Sequence, residues 1–140
     1  MTIVTANLAI SLDGFTAGPD QSLEQPFGVG AGALTAWMFE TAQPGREPDQ
    51  QLMATLHANT GAHIMGRKMF GPGDGAWDES WTGWWGPEPP YHAPVFVLTH
   101  HERAPLPVEG GTTFHFVTDG IESALAQARL AAGDQDVEIA

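Results

Sequence analysis

Arg67 and Lys68 are the only adjacent basic residues in a 140-residue chain that carries five Lys and Arg against seventeen Asp and Glu. Gly66 precedes them, at the end of the short apolar run Ala62 to Met65. Glycine lets a ligand approach the backbone, amides at the start of a helix point outward, and the cations add attraction. Scarce positive charge concentrated where a strand turns into a helix is anion-site chemistry, and it points to a phosphorylated small molecule. The plainer reading is a surface turn that happens to be basic.

Other candidates carry less. The six histidines, His57, His63, His92, His100, His101 and His115, show no metal-ligand spacing, and no metal site is expected. His100 and His101 point to opposite faces of an extended chain, and His115 faces away from Phe114 and Phe116. Asp13 could act as a general acid, although an Asp before Gly more often shapes a turn. The run Phe27 to Ala33 (FGVGAGA) lacks the spacing of a dinucleotide fingerprint, and Gly71 to Gly75 (GPGDG) reads as a bend. Trp81, Trp84 and Trp85 stand three and four apart, which would place them on one helical face for core or dimer packing.

These residues need a scaffold, and the chain is long enough to build one domain over 1–140 with a real core. Hydrophobic residues make up 42% and charged residues 16%, a globular composition. A net charge of −12 argues against a nucleic-acid partner and against an anionic membrane surface. No cysteine means no disulfide and no thiol nucleophile, which fits a reducing cytoplasm. Strands are expected over Thr2 to Ile10, Ala62 to Met65, Pro94 to Thr99, Thr112 to Val117 and Asp136 to Ala140. Helices are expected over Ala33 to Glu40, from a cap at Asp49 to about Asn59, and from a cap at Asp119 to about Ala132. Between Gly71 and Pro94 lies a Gly- and Pro-dense segment with four of the five tryptophans. Strands alternating with helices imply an α/β fold with a largely parallel sheet.

Taken in order, ANLAISLDGFTAG (Ala6 to Gly18), HIMGRKMF (His63 to Phe70), PVFVLTHH (Pro94 to His101) and Phe116 to Ala140 resemble the dihydrofolate reductase-like superfamily. Within it the chain is similar to the reductase domain of riboflavin biosynthesis, the C-terminal domain of the bifunctional deaminase-reductase. The resemblance implies a central, mostly parallel mixed sheet flanked by helices, and NADPH as cofactor. It implies that Gly66, Arg67 and Lys68, with Met69 beside them, hold the cofactor's phosphates. Leu98, Thr99 and His100 would lie along the adenosine half, and Arg67 with a histidine would face the 2′-phosphate. Ala6, Asn7 and the stretch to Ala17 would lie near the nicotinamide, with Ile139 and Ala140 also in the cofactor set. The substrate, a small heterocycle or a ribosylamino-pyrimidine- or pterin-like molecule, would rest against Trp37 and Phe39. Asp13 is the candidate proton donor, with water as the alternative.

Two departures bear on this reading. The first helix lacks the acidic residue that dihydrofolate reductases use, so the riboflavin-type branch fits better. The family also continues past the last strand into a Gly-Gly helix, whereas the chain stops at Ala140. A C-terminally truncated domain is therefore expected. The alternative reading is a non-catalytic nucleotide-binding or interaction module of the same fold. An exposed sheet edge would then favour a homodimer.

Overall fold

The computed structural model describes residues 2–40 and 43–140, and of Phe39 only the backbone. The chain forms two compact units, one of residues up to 7 together with 59–140 and one of residues 8–58. The larger unit contains the whole sheet: β1 (Val4–Ala6), β2 (Thr60–Gly66), β3 (Pro94–Leu98), β4 (Leu106–Pro107), β5 (Thr113–Val117) and β6 (Asp136–Ile139). Their order is β1-β6-β2-β3-β5-β4, and every pairing is parallel except β4 with β5. With α1 (Gly32–Phe39), α2 (Glu47–Thr55), α3 (Arg67–Phe70) and α4 (Ile121–Ala132), this is the mostly parallel, mixed α/β sheet expected.

Strand alternation sends side chains to two separate cores. On one face Ala62, Ile64, Phe96, Val117 and Val137 meet Ala124, Ala128 and Ala132, which the four-residue spacing aligns along α4. On the other, Met65, Val95, Val97 and Phe114 meet Phe70 and Tyr91, with Trp77, Trp81 and Trp85 partly buried around them. Because both faces are covered, β2 and β3 read as nearly continuous apolar runs. His115 takes the α4 face, stacked on Phe96 at 5.1 Å, while its neighbours Phe114 and Phe116 take the other.

Several boundaries differ from expectation. The first strand covers only Val4–Ala6, the length over which it finds a partner in β6. It is fastened by Asp136, whose carboxylate accepts from the Ile3 amide at 3.0 Å and from Asn59 Nδ2 at 2.7 Å. The N-cap of α4 is Gly120, not Asp119, and makes no side-chain cap bond. Its φ of 91° is one that glycine adopts without strain. Likewise α2 begins after Arg46, so Asp49 lies inside its first turn, where a carboxylate favours the helix dipole. It ends at Thr55, because Asn59 and the residues after it are drawn into the sheet. Residues 76–93 form no helix, so Trp81, Trp84 and Trp85 do not share a helical face. Trp81 and Trp84 meet edge to face at 4.6 Å, whereas Trp85 stacks on Phe114.

In the smaller unit Arg46 ties the end of α1 to α2, lying 3.6 Å from Glu40 and 3.1 Å from Asp49. The glycine-rich run here is structural. The amides of Gly18 and Val29 donate to Phe27 and Pro19 carbonyls at 2.7 and 2.8 Å, and a side chain on Gly28 would run into the Gly18 carbonyl.

Candidate functional site

Parallel pairing brings the carboxyl ends of five strands to one edge of the sheet. Ala6 is level with Ile139, Gly66 with Leu98, and Leu98 with Val117. Ligands of open parallel sheets collect at this edge. Gly66 ends β2 in an extended conformation and is exposed, with open space where a side chain would project. The chain then turns into α3, a single turn whose Phe70 is fully buried. That anchor leaves Lys68 outside and Arg67 half-buried, and draws Met69 against the aromatic core.

Beside this turn lies a cavity of about 480 Å³. It gathers six residues expected from the sequence: Gly66, Arg67, Lys68, Leu98, Thr99 and His100. It also takes in Asp74, His101, Val117, Thr118 and Gly120, which sequence reasoning missed. The missed signal was Thr118-Asp119-Gly120, a turn after a strand, which reads as a helix cap when the sheet register is unknown. The lining combines an apolar floor from Leu98 and Val117 with hydroxyls, imidazoles and one exposed ammonium.

Arg67 does not extend freely into that space. Its guanidinium lies 3.1 Å from the centre of the Trp77 ring. Nε donates to the Gly73 carbonyl at 3.2 Å and Nη2 to Gly75 at 3.3 Å. Burial lowers its pKa, nearby Asp74 opposes that shift, and Arg103 adds to it; the group stays cationic throughout. Lys68, by contrast, is 61% exposed, with Nζ 3.5 Å from the Asp74 carboxylate.

The 73–77 segment is tied at two points to His101, just past the end of β3. Trp77 Nε1 donates to the His101 carbonyl at 2.8 Å, and a His101 ring nitrogen lies 3.0 Å from the Asp74 carbonyl. His101 is itself set by its amide bond to Thr99 Oγ1 at 3.1 Å. His101 thus turns to the loop, and exposed His100 is left on the cavity wall. Farther along, Trp81 Nε1 donates to the Phe70 carbonyl, and a side chain on Gly71 would collide with that indole.

Ala6, Asn7, Ile139 and Ala140 lie on the same carboxyl edge but do not line this cavity. The Asn7 amide donates to the Ile139 carbonyl and the Ala140 amide to Ile64. Met69 is also absent from the lining. Asp13, Ala17, Trp37 and Phe39 belong to the 8–58 unit. Asp13 sits in a turn, its carboxylate accepting from Ser11 Oγ at 2.6 Å, and Trp37 lies mid-α1. The Phe39 side chain lies outside the described residues.

A second hollow, about 550 Å³, adjoins the first through Thr118. It presents Glu79 and Glu102, and its one cation, Arg103, is only 2% exposed. Arg103 is bound to the Glu79 and Trp81 carbonyls, so this hollow is a poor receptor for an anion. On the aromatic face His63 and Glu138 are paired in register and fully buried, with Thr60 Oγ1 donating to Glu138 Oε2 at 3.1 Å. Burial, and then the Glu138 carboxylate, push the Tyr91 phenol well above its ordinary range, so it stays protonated. Among the described residues no helix is long and apolar enough to cross a membrane.

A family model described as the RibD C-terminal domain matches residues 2–138. No curated protein matches the chain.

Proposed function

The chain belongs to the RibD C-terminal domain family, which has a reductase-type role in riboflavin biosynthesis, and from that premise we propose that it is an NADPH-dependent reductase. Its substrate is a small heterocycle of the ribosylamino-pyrimidine or pterin-like kind. One observation carries the proposal. The cavity at the carboxyl edge combines an exposed glycine, two cations, a carboxylate, an apolar floor and polar side chains, a lining that suits the adenosine half of a dinucleotide.

In this reading Leu98 and Val117 take the purine, and Thr99, Thr118 and His100 supply hydrogen bonds to ribose. The Gly66 backbone allows close approach, and Lys68 supplies the positive charge. Arg67 acts from behind, holding the 73–77 wall through Trp77 and the carbonyls of Gly73 and Gly75. When bound, NADPH supplies the hydride; the protein's part is to orient it and exclude water. Ala6, Asn7, Ala17, Ile139 and Ala140 are proposed for the nicotinamide end, and Trp37 and Phe39 for the substrate. The proton comes from Asp13 or from water, and Asp13→Asn separates the two by whether turnover survives.

The test is calorimetric titration with NADPH on the whole chain. Saturable binding is expected, weakened about tenfold in Lys68→Gln. Absence of binding by the unaltered protein would rule out the reductase reading.

A second reading rests on β1, whose outer edge pairs with no strand among the described residues and whose first residue Val4 and the preceding Ile3 are 38% and 48% exposed. In that reading the edge joins a second copy of the chain, as an interaction module or as a homodimeric enzyme. Light scattering distinguishes them: a monomer at all concentrations removes the edge from consideration.

A further inference from the structure

Two ionisable side chains inside the sheet take no part in either cavity. His63 on β2 and Glu138 on β6 are Cα partners in a parallel pairing, so they project from the same face, and they are 0% and 1% exposed. A ring nitrogen of His63 and a carboxylate oxygen of Glu138 lie within 4.8 Å of each other. The Tyr91 ring stands edge-on to the imidazole at 4.8 Å, and Thr60 Oγ1 donates to Glu138 Oε2 at 3.1 Å. A buried carboxylate must be paired, hydrogen-bonded or bound to a metal. Among the described residues the five Lys and Arg are placed elsewhere. Arg46 meets Glu40 and Asp49, Lys68 meets Asp74 and Arg103 meets Glu79. Arg67 is stacked on Trp77, and Arg129 is exposed on α4, which packs on the opposite face of the sheet. An imidazole or a bound cation is left to answer the carboxylate.

We propose that His63 and Glu138 are two ligands of a divalent transition-metal ion of the zinc class, which cross-links β2 to β6. Imidazole with carboxylate is a donor set such ions take, whereas calcium and magnesium prefer oxygen alone. A zinc ion stands about 2.0–2.2 Å from each donor, so a small rotation of either side chain lets one ion meet both. The Thr60 hydroxyl already orients the carboxylate, as neighbours of metal-ligating carboxylates do. The site is structural, because both donors are sealed from solvent. It holds β6, a strand of four residues, beside β2. Spacing along the chain does not reveal the pair, since its donors come from strands distant in sequence. The proposal is independent of the cofactor reading and survives its failure.

The test uses the whole chain, unfolded in urea with a chelator and refolded with or without zinc, because a sealed site exchanges slowly. Elemental analysis after desalting should find about one zinc ion per chain, and the zinc-loaded protein should melt at a higher temperature. His63→Gln and Glu138→Gln should each lose the retained zinc. Thr60→Val should weaken binding about tenfold. His115→Gln, a histidine on the α4 face of the same sheet, should retain the ion. Paramagnetic cobalt in the unaltered protein gives a reading that needs no variant to fold. It should broaden the amide signals around His63 and Glu138 and spare those around His92. No retained zinc in the unaltered protein overturns the proposal and leaves a buried imidazole–carboxylate pair. Zinc retained undiminished in both folded variants, or cobalt broadening centred elsewhere, also overturns it.

Discussion

Arg67 is held by three kinds of force at once: ring stacking on Trp77, a two-carbonyl fork and the field of Asp74. Only a planar, five-donor cation satisfies all of them, so lysine is not a conservative replacement. Arg67→Lys is expected to cost about 1–2 kcal/mol of stability through the lost stack and fork. Urea unfolding measures it, and an unchanged midpoint would mean the stack contributes nothing. His115 gives a second prediction at this scale. Burial lowers its pKa in the folded protein, so the unfolded chain binds the extra proton more readily. Its contribution is complete above the unfolded value and is lost as pH falls from there through the lower folded value. Thermal stability should therefore decline on acidification, and less so in His115→Gln. The basic turn at Gly66 to Lys68 stood out in the sequence because basic charge is scarce and falls beside a glycine, and the structure puts it on a cavity wall. What Arg67 does with its charge was not legible, since Trp77 is ten residues away and the loop between them has no regular pattern.

At the scale of elements, the segment from Gly71 to Ala93 behaves as a wall built from indoles. Gly71 has no side chain because Trp81 occupies that place, and Trp81 in turn is bonded to Phe70 and flanked by Arg103 contacts to the same loop. Gly71→Ala should destabilise the protein by about 1–3 kcal/mol through overpacking. Trp81→Phe, which shrinks the ring, should recover part of that loss when combined with it. Strictly additive effects in the double variant would show that the two do not touch. Helix starts were read less well than strands. Asp119 and Asp49 have the right side chains for caps, but backbone geometry gave the positions to Gly120 and Arg46. The two-residue β4 escaped notice because Leu106-Pro107 is too short to show alternation and pairs only through β5.

For the whole molecule, seventeen acidic residues against five basic ones impose self-repulsion that no single contact reveals. Raising salt from about 0.02 M to about 0.3 M shortens the screening length from roughly 20 Å to roughly 6 Å, so the melting temperature should rise by about 2–5 °C. A melting temperature that falls instead would mean that local ion pairs such as Lys68–Asp74 outweigh the net charge. The parallel α/β class followed from the alternation of strands and helices. The insertion of β6 between β1 and β2 did not, because it joins segments more than fifty residues apart and only tertiary contacts decide it. That topology gives the aromatic coil its place over one face of the sheet. Four of the five tryptophans fall between residues 77 and 85, so the near-ultraviolet emission of the protein comes mostly from that coil. A melt followed by tryptophan emission times the detachment of the cavity wall, while far-ultraviolet dichroism times the loss of strands and α4. The interval between the two curves gauges, without label or ligand, how firmly that wall is held to the sheet.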